Sequence, residues 1–172
     1  MGEVFPFTLV KLFMGVLVTS QGTIPHLLSL LEEHYGELEE VSEPIEFNFS
    51  DYYDSEMGGT PWRFFVVFEE RLDPERLASV KLHTNTLEDY FRVEGRRVVN
   101  LDPGVMSGAN LILATTKNRS HRIPLQQGIY GELTLHYSGK RYNSFPWTYP
   151  DYKSSEVQSF FLKVRDNFLK QS

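Results

Sequence analysis

Lys117, Arg119, His121 and Arg122 all fall within the stretch TTKNRSHRIPL, in a chain of 172 residues whose formal net charge is -6. So much positive charge in one connection of an acidic protein suits the neutralisation of an anion, because guanidinium and ammonium groups make the strongest hydrogen bonds to phosphate and carboxylate. His121 adds a group able to exchange a proton near neutral pH. Two carboxylates stand near this run in sequence: Asp102 in NLDPG and Glu132 in GIYGELTL. Either could orient a ligand or serve as a general base. Asp54 and Glu56, from an acidic stretch without Lys or Arg between Glu37 and Trp62, could hold Mg²⁺ between protein and phosphate. Lys81 and Asn85, on one helical stripe with Glu88, and the amphipathic rings of Tyr130, Trp147 and Tyr149 complete the candidate ligand contacts. Together they suggest binding of, or action on, a small phosphorylated or nucleotide-like anion.

Each of these residues also has a plainer role. Asp102 before Pro-Gly is common turn chemistry, the side chain bonding its own backbone. On a strand from Ser120 to Leu125, His121 and Ile123 face one way and Arg122 and Pro124 the other. Tyr130, Glu132, Thr134 and His136 then share a face opposite Ile129, Leu133 and Leu135. An exposed Arg122–Glu132 pair would contribute only about 0–1 kcal/mol. Trp147 reads as core, and the Lys81, Asn85 and Glu88 stripe as a solvated helix face.

Several chemistries are excluded or disfavoured, a spatial Ser-His-Asp triad staying open. The chain has no cysteine, hence no disulfide, thiolate metal site or thiol nucleophile. Its five histidines lack metal-site spacing, and no serine sits on a Gly-flanked elbow. TTKN lacks the aspartate that completes a guanine-reading motif, and no GxxxxGK[ST] loop exists to cradle phosphate. A pI near 5.4 argues against a broad nucleic-acid footprint. TLVKLFMGVLV is preceded by Glu3, interrupted by Lys11 and lacks a cleavage pattern, so it is not expected to act as a signal peptide. No run approaches the roughly 20 residues of a membrane helix. A soluble, cytoplasmic protein forming one domain over residues 1–172 is expected.

The elements that must position these groups follow from periodicity. Leu9–Val18 reads as a central strand. Thr23 can cap a helix with Pro25 in its first turn; the helix carries Leu27, Leu28, Leu30 and Leu31 and stops at Gly36. Ile45, Phe47 and Phe49 alternate as a half-buried strand, and Trp62–Glu69 is a denser one. Asp73-Pro74-Glu75 opens a second helix with Leu77, Val80, Thr84, Leu87 and Phe91 on its seam, ending at Gly95. Arg97–Leu101 is a short strand. Strand, helix, strand, strand, helix, strand is the order of a ferredoxin-like βαββαβ sandwich. Strands at Leu111–Thr116, His121–Leu125 and Ile129–Tyr137 extend it, and Ser154 or Ser155 caps a last helix. The alternative is a mixed α/β sheet with the first strand in a parallel pair.

On that order, LFMGVL and FVVF resemble the two signature strands of RNA-recognition domains, which stack bases on exposed sheet aromatics. This supports a second functional reading, a noncatalytic RNA- or protein-binding module, and it requires Phe13 and Phe65 to be exposed; the plainer reading, favoured by the chain's acidity, makes Phe13, Phe65 and Phe68 core. Finally, FSDYYDSEMG, KLHTNTLEDY, NLDPG, LILATTKNRSHRI, GIYGELTL and PWTYPDY together resemble a bacterial family known as a domain of unknown function, DUF4416. The resemblance spans most of the chain and implies no established activity.

Overall fold

The computed structural model describes residues 2–49 and 56–171. Nine strands, β1 (Val10–Val18), β2 (Leu38–Val41), β3 (Ile45–Glu46), β4 (Trp62–Leu72), β5 (Val99–Met106), β6 (Asn110–Thr115), β7 (Ile123–Pro124), β8 (Tyr130–Ser138) and β9 (Arg141–Ser144), form one sheet. Its order is β2-β4-β1-β5-β6-β8-β7, with β3 also on β4 and β9 on β8, and every pairing is antiparallel. It is accompanied by α1 (Ile24–Tyr35), α2 (Leu77–Tyr90) and α3 (Ser155–Lys170). The fold is therefore α+β. The mixed α/β alternative fails, because β1 runs antiparallel to both of its neighbours.

The helices divide between the two faces, and that explains why β1 is apolar almost throughout. Leu12, Met14, Val16 and Val18 join one core with Leu27 and Leu31 of α1 and Leu77, Val80 and Leu87 of α2. Phe13 points the other way, into a second core with Phe65, Met106, Leu111 and Leu135 beneath Val157, Phe161, Val164 and Phe168 of α3. A strand covered on both faces loses the alternation of a half-exposed one. Phe13 meets Phe161 edge-on at 4.9 Å, and Phe65 meets Phe161 and Tyr152, each at 5.4 Å. Both rings needed for a base-stacking platform are thus buried under α3.

Local signals place the helix ends. Asp73 accepts from the Glu75 amide and starts a short 3-10 turn leading into α2, and Ser154 accepts from the Val157 amide to cap α3. At α1 the cap differs from expectation. Ser20 caps a preceding 3-10 turn, and Thr23 makes no side-chain cap bond. Two strands carry no clear periodic signal. β2 is the edge strand LEEV, and β9 follows the two-residue turn Gly139-Lys140, both residues at positive φ as a tight hairpin turn requires.

The largest departure is at NLDPG. It is not a turn but the middle of β5, where Asp102, Pro103 and Gly104 lie opposite Gly15, Met14 and Phe13 of β1. Gly104 is required there because a Cβ would stand 2.4 Å from Phe13 Cζ and 2.7 Å from the Ile112 carbonyl oxygen. Pro103 has no N–H to give a ladder, and the β5–β6 pairing ends at Gly104↔Leu113. Beyond that point β5 and β6 part. Among the described residues, no helix is long and apolar enough to cross a membrane.

Gly104→Ala should destabilise the fold by about 1–3 kcal/mol, since Phe13 and the β6 backbone cannot both move aside. Gly22→Ala, whose Cβ would meet nothing closer than Ser20 Oγ at 3.5 Å, should change stability far less. Chemical denaturation of the two variants beside the parent measures the contrast.

Candidate functional site

Where β5 and β6 separate, α2 supplies the missing partners. The Leu101 amide, which a strand would otherwise take, donates to Glu88 Oε1 at 2.7 Å. The Leu101 carbonyl accepts from Lys81 Nζ at 2.9 Å. Buried backbone groups must find partners, and here one carboxylate and one ammonium replace a neighbouring strand. Lys81 and Glu88 are therefore buried, contrary to their reading as a solvated helix face. Lys81 also reaches through the gap to Asp102 Oδ1 at 3.6 Å.

Asp102 belongs to the sheet face covered by α3, because its cross-strand partner Gly15 lies on the row of Phe13. Gly15 leaves room for the guanidinium of Arg63, which a Cβ would approach to 3.1 Å. Arg63 donates through Nε to Asp151 Oδ2 at 2.9 Å, its Nη2 lies 2.9 Å from the same oxygen as an ion pair, and its Nη1 lies 3.6 Å from Asp102 Oδ2. The same guanidinium stands over the rings of Phe47 and Phe65. Asn100 donates to Asp102 Oδ2 at 2.9 Å, so Asp102 is held from three sides while remaining partly exposed.

Two cavities adjoin at this point. The first, about 260 Å³, is lined by Phe47, Phe49, Arg63, Asp102, Leu113, Ala114, Thr115, Lys117, Arg122, Glu132, Tyr149, Pro150 and Asp151. The second, about 350 Å³, is lined by Glu56, Lys81, Asn85, Glu88, Asp89, Arg92, Arg97, Asn100, Asp102, Thr115, Thr116, Lys117 and Tyr149. They share Asp102, Thr115, Lys117 and Tyr149, so the two form one cleft around the strand gap. The first has an aromatic and aliphatic wall, whereas the second is nearly all polar.

The connection 117–122 folds differently from the expected strand. Only Ile123–Pro124 pair with β8, and the Arg122 amide donates to the Arg119 carbonyl at 3.0 Å in a turn. In consequence His121 and Arg122, expected on opposite faces, converge on one atom. His121 Nε2 and Arg122 Nε lie 2.9 Å and 2.7 Å from Glu132 Oε2. Arg122 also donates to the Lys117 carbonyl at 2.8 Å and to the Tyr149 hydroxyl at 3.2 Å, closing the turn on itself. Burial opposes the Arg122 charge, yet the bond and charge of Glu132 outweigh it and raise its pKa above the ordinary value.

Glu132 is almost fully buried, and its second oxygen, Oε1, has no hydrogen-bond partner among the described residues. It shares the α3 face with Leu113, its cross-strand partner. Leu135 shares that face too, although strict alternation puts it opposite Glu132. The reason is a register shift in the β6–β8 ladder between Leu111 and Ile112, whose partners are Leu135 and Leu133. Thr134 is the extra residue of that bulge, a device that re-aims neighbouring side chains.

Of the residues singled out from sequence, Asp102, Glu132, Lys117, Arg122, Lys81, Asn85, Tyr149 and Glu56 line the cleft. His121 stands behind Glu132, stacked on Trp147 at 4.8 Å, which in turn stacks on Phe145 at 4.8 Å. Trp147 is not core but partly exposed, with its indole N–H on the Leu133 carbonyl at 2.8 Å. Arg119 is exposed and bonds the Asn118 carbonyl, and neither it nor Tyr130 lines either of these two cavities. Asp54 lies outside the described residues. Glu56 pairs with Arg97 at 3.4 Å, and among the described residues no group of three His, Asp or Glu could hold a metal ion. The acidic stretch meets other cations, Glu39 pairing with Lys11 at 2.7 Å and Glu40 with Lys163 at 2.8 Å. Arg63 and Asp151 were the residues not anticipated. The available signal was an arginine inside the otherwise apolar WRFFVVF.

A family model described as Domain of unknown function (DUF4416) matches residues 8–168. No curated protein and no solved structure matches the chain.

Burial raises the Glu88 pKa above its usual value, against the opposing effects of the Leu101 amide, Lys81 and Arg97. A folded-state pKa above the unfolded one gives stability that is complete below the unfolded value and lost as pH rises through the folded value. The parent should therefore lose stability relative to Glu88→Gln as pH climbs out of the ordinary glutamate range. Paired urea titrations from acidic to neutral pH test this, and parallel curves would contradict it.

Proposed function

The chain belongs to the DUF4416 family, and from the geometry of its cleft we propose that it binds a small phosphorylated ligand across the two adjoining cavities. The observation that carries this reading is the convergence of Lys117 and Arg122 with Asp102, Glu132 and Tyr149 around one concave opening. Lys117 lines both cavities, so a phosphate there would meet its ammonium group whichever chamber holds the rest of the ligand. Phe47, Phe49, Leu113 and Pro150 offer the first chamber an apolar wall for a ring or carbon chain. The carboxylates keep the cleft near electroneutral before binding, so they select by geometry and hydrogen bonding rather than by bulk charge. In this reading Lys81 and Asn85 contact the ligand from the second chamber, and Asp102 orients it.

We also assign the segment from β1 to β5 to the ferredoxin-like class. Its support is the order β2-β4-β1-β5 with α1 and α2 on one face, which corresponds to strand, helix, strand, strand, helix, strand wound as a split βαβ pair.

Thermal-shift measurements with sugar phosphates and nucleotides, with and without Mg²⁺, test the binding reading. A ligand at 100 times its Kd should add about 2.7 kcal/mol of stability, a rise of several degrees in Tm. Lys117→Ala should fold normally, because the residue is exposed, and should lose most of that rise. A melting curve unmoved by every compound would overturn the proposal.

A further inference from the structure

Resting on that reading, we infer that the ligand is a hydroxylated phosphate ester, recognised by a hydroxyl hydrogen bond to Glu132 Oε1. Three observations carry this. First, Glu132 lines the first cavity while its side chain is buried among protein atoms. Second, its other oxygen is already committed, with His121 Nε2 at 2.9 Å and Arg122 Nε at 2.7 Å. These two groups fix the carboxylate's rotation, and a carboxylate oxygen accepts hydrogen bonds. Third, Oε1 has no hydrogen-bond partner among the described residues.

A buried acceptor without a donor is unfavourable, so the fold keeps an unfavourable group on a residue that lines a cavity with room for a sugar-sized molecule. The β-bulge at Thr134 helps set this group on the cavity's face of the sheet. His121 is held in turn by stacking on Trp147, itself tied to the Leu133 carbonyl. His121, Arg122 and Trp147 are thus positioning residues for Glu132, and Trp147 acts without lining the cavity. A hydroxyl placed on Oε1 turns the unfavourable group into a charge-assisted hydrogen bond. A ligand lacking the hydroxyl leaves it unsatisfied, and sites of this kind discriminate strongly against such analogues.

The test compares ribose 5-phosphate with n-pentyl phosphate, which share five carbons and the phosphate and differ in the hydroxyls and ring oxygen. Isothermal titration of the full chain should give ribose 5-phosphate at least about tenfold tighter binding, as expected when an unsatisfied acceptor is filled. In Glu132→Gln, which keeps the shape and loses the charge, that ratio should shrink while n-pentyl phosphate affinity stays within about twofold. Trp147→Phe, which retains a ring for His121 and loses the indole bond, should shrink the ratio less. Equal affinity of the two esters for the parent overturns the hydroxyl assignment and leaves the phosphate site standing. An unchanged ratio in Glu132→Gln overturns the role of Glu132 alone. Failure of both esters to bind overturns the phosphate reading and this inference with it.

Discussion

The architecture depends on one interruption: the β5–β6 ladder stops where Pro103 has no N–H to offer. Left alone, the Leu101 peptide would be a buried, unpaired edge in the middle of a sheet. Glu88 and Lys81 resolve this from α2, and in doing so they carry charge into a region that would otherwise be apolar. The gap also connects the two sides of the sheet, since Lys81 comes from the α2 face and the Asp102 carboxylate lies on the α3 face. A cleft at this position follows from a strand that cannot complete its pairing.

The charged groups around the gap are arranged as buried pairs rather than as a cationic patch. Arg63 is bound to Asp151 and Arg122 to Glu132. Such pairs are poor sources of net stability, because desolvation offsets most of their attraction. Removing either partner is nonetheless costly, so each pair holds its members in place. Arg63 shows this well: its guanidinium fits only because position 15 is glycine, and it links Asp151, next to the aromatic segment 145–149, to Asp102 in the sheet. The concentration of positive charge in the 117–122 connection has a similar explanation. Arg122 folds back to tie the turn to Glu132, to the Lys117 carbonyl and to Tyr149.

Much of the fold was legible because local periodicity and capping are local physics. The dense strand β1, the Asp73-Pro74 start of α2, the seam from Leu77 to Phe91 and the capped α3 all follow from spacing that tertiary contacts reinforce. The strands β2 and β9 were not legible, since LEEV and RYNS lack an alternating pattern and exist by pairing with β4 and β8. That Phe13 and Phe65 are core was the plainer reading of β1 and β4, but their burial could not be assigned to a covering element from those strands. It depends on α3, more than eighty residues beyond β4 in the chain, arriving on their face.

What the sequence determined by itself was the inventory of this protein: which segments are helical, which groups can carry charge, and which chemistries are absent for want of a thiol or a P-loop. Only the tertiary structure decided where that inventory acts. Asp-Pro-Gly reads as a turn by local preference, and it becomes mid-strand because Gly104 must pass beneath Phe13 and β1 supplies pairing along its other edge. His121 and Arg122 are adjacent residues that alternation would send apart. They meet at Glu132 because a turn replaces the strand on one side and a bulge shifts the register on the other. Local propensity is a sum over neighbours in sequence, whereas a site is a coincidence of strands, and ladder registers are set by contacts far apart in the chain.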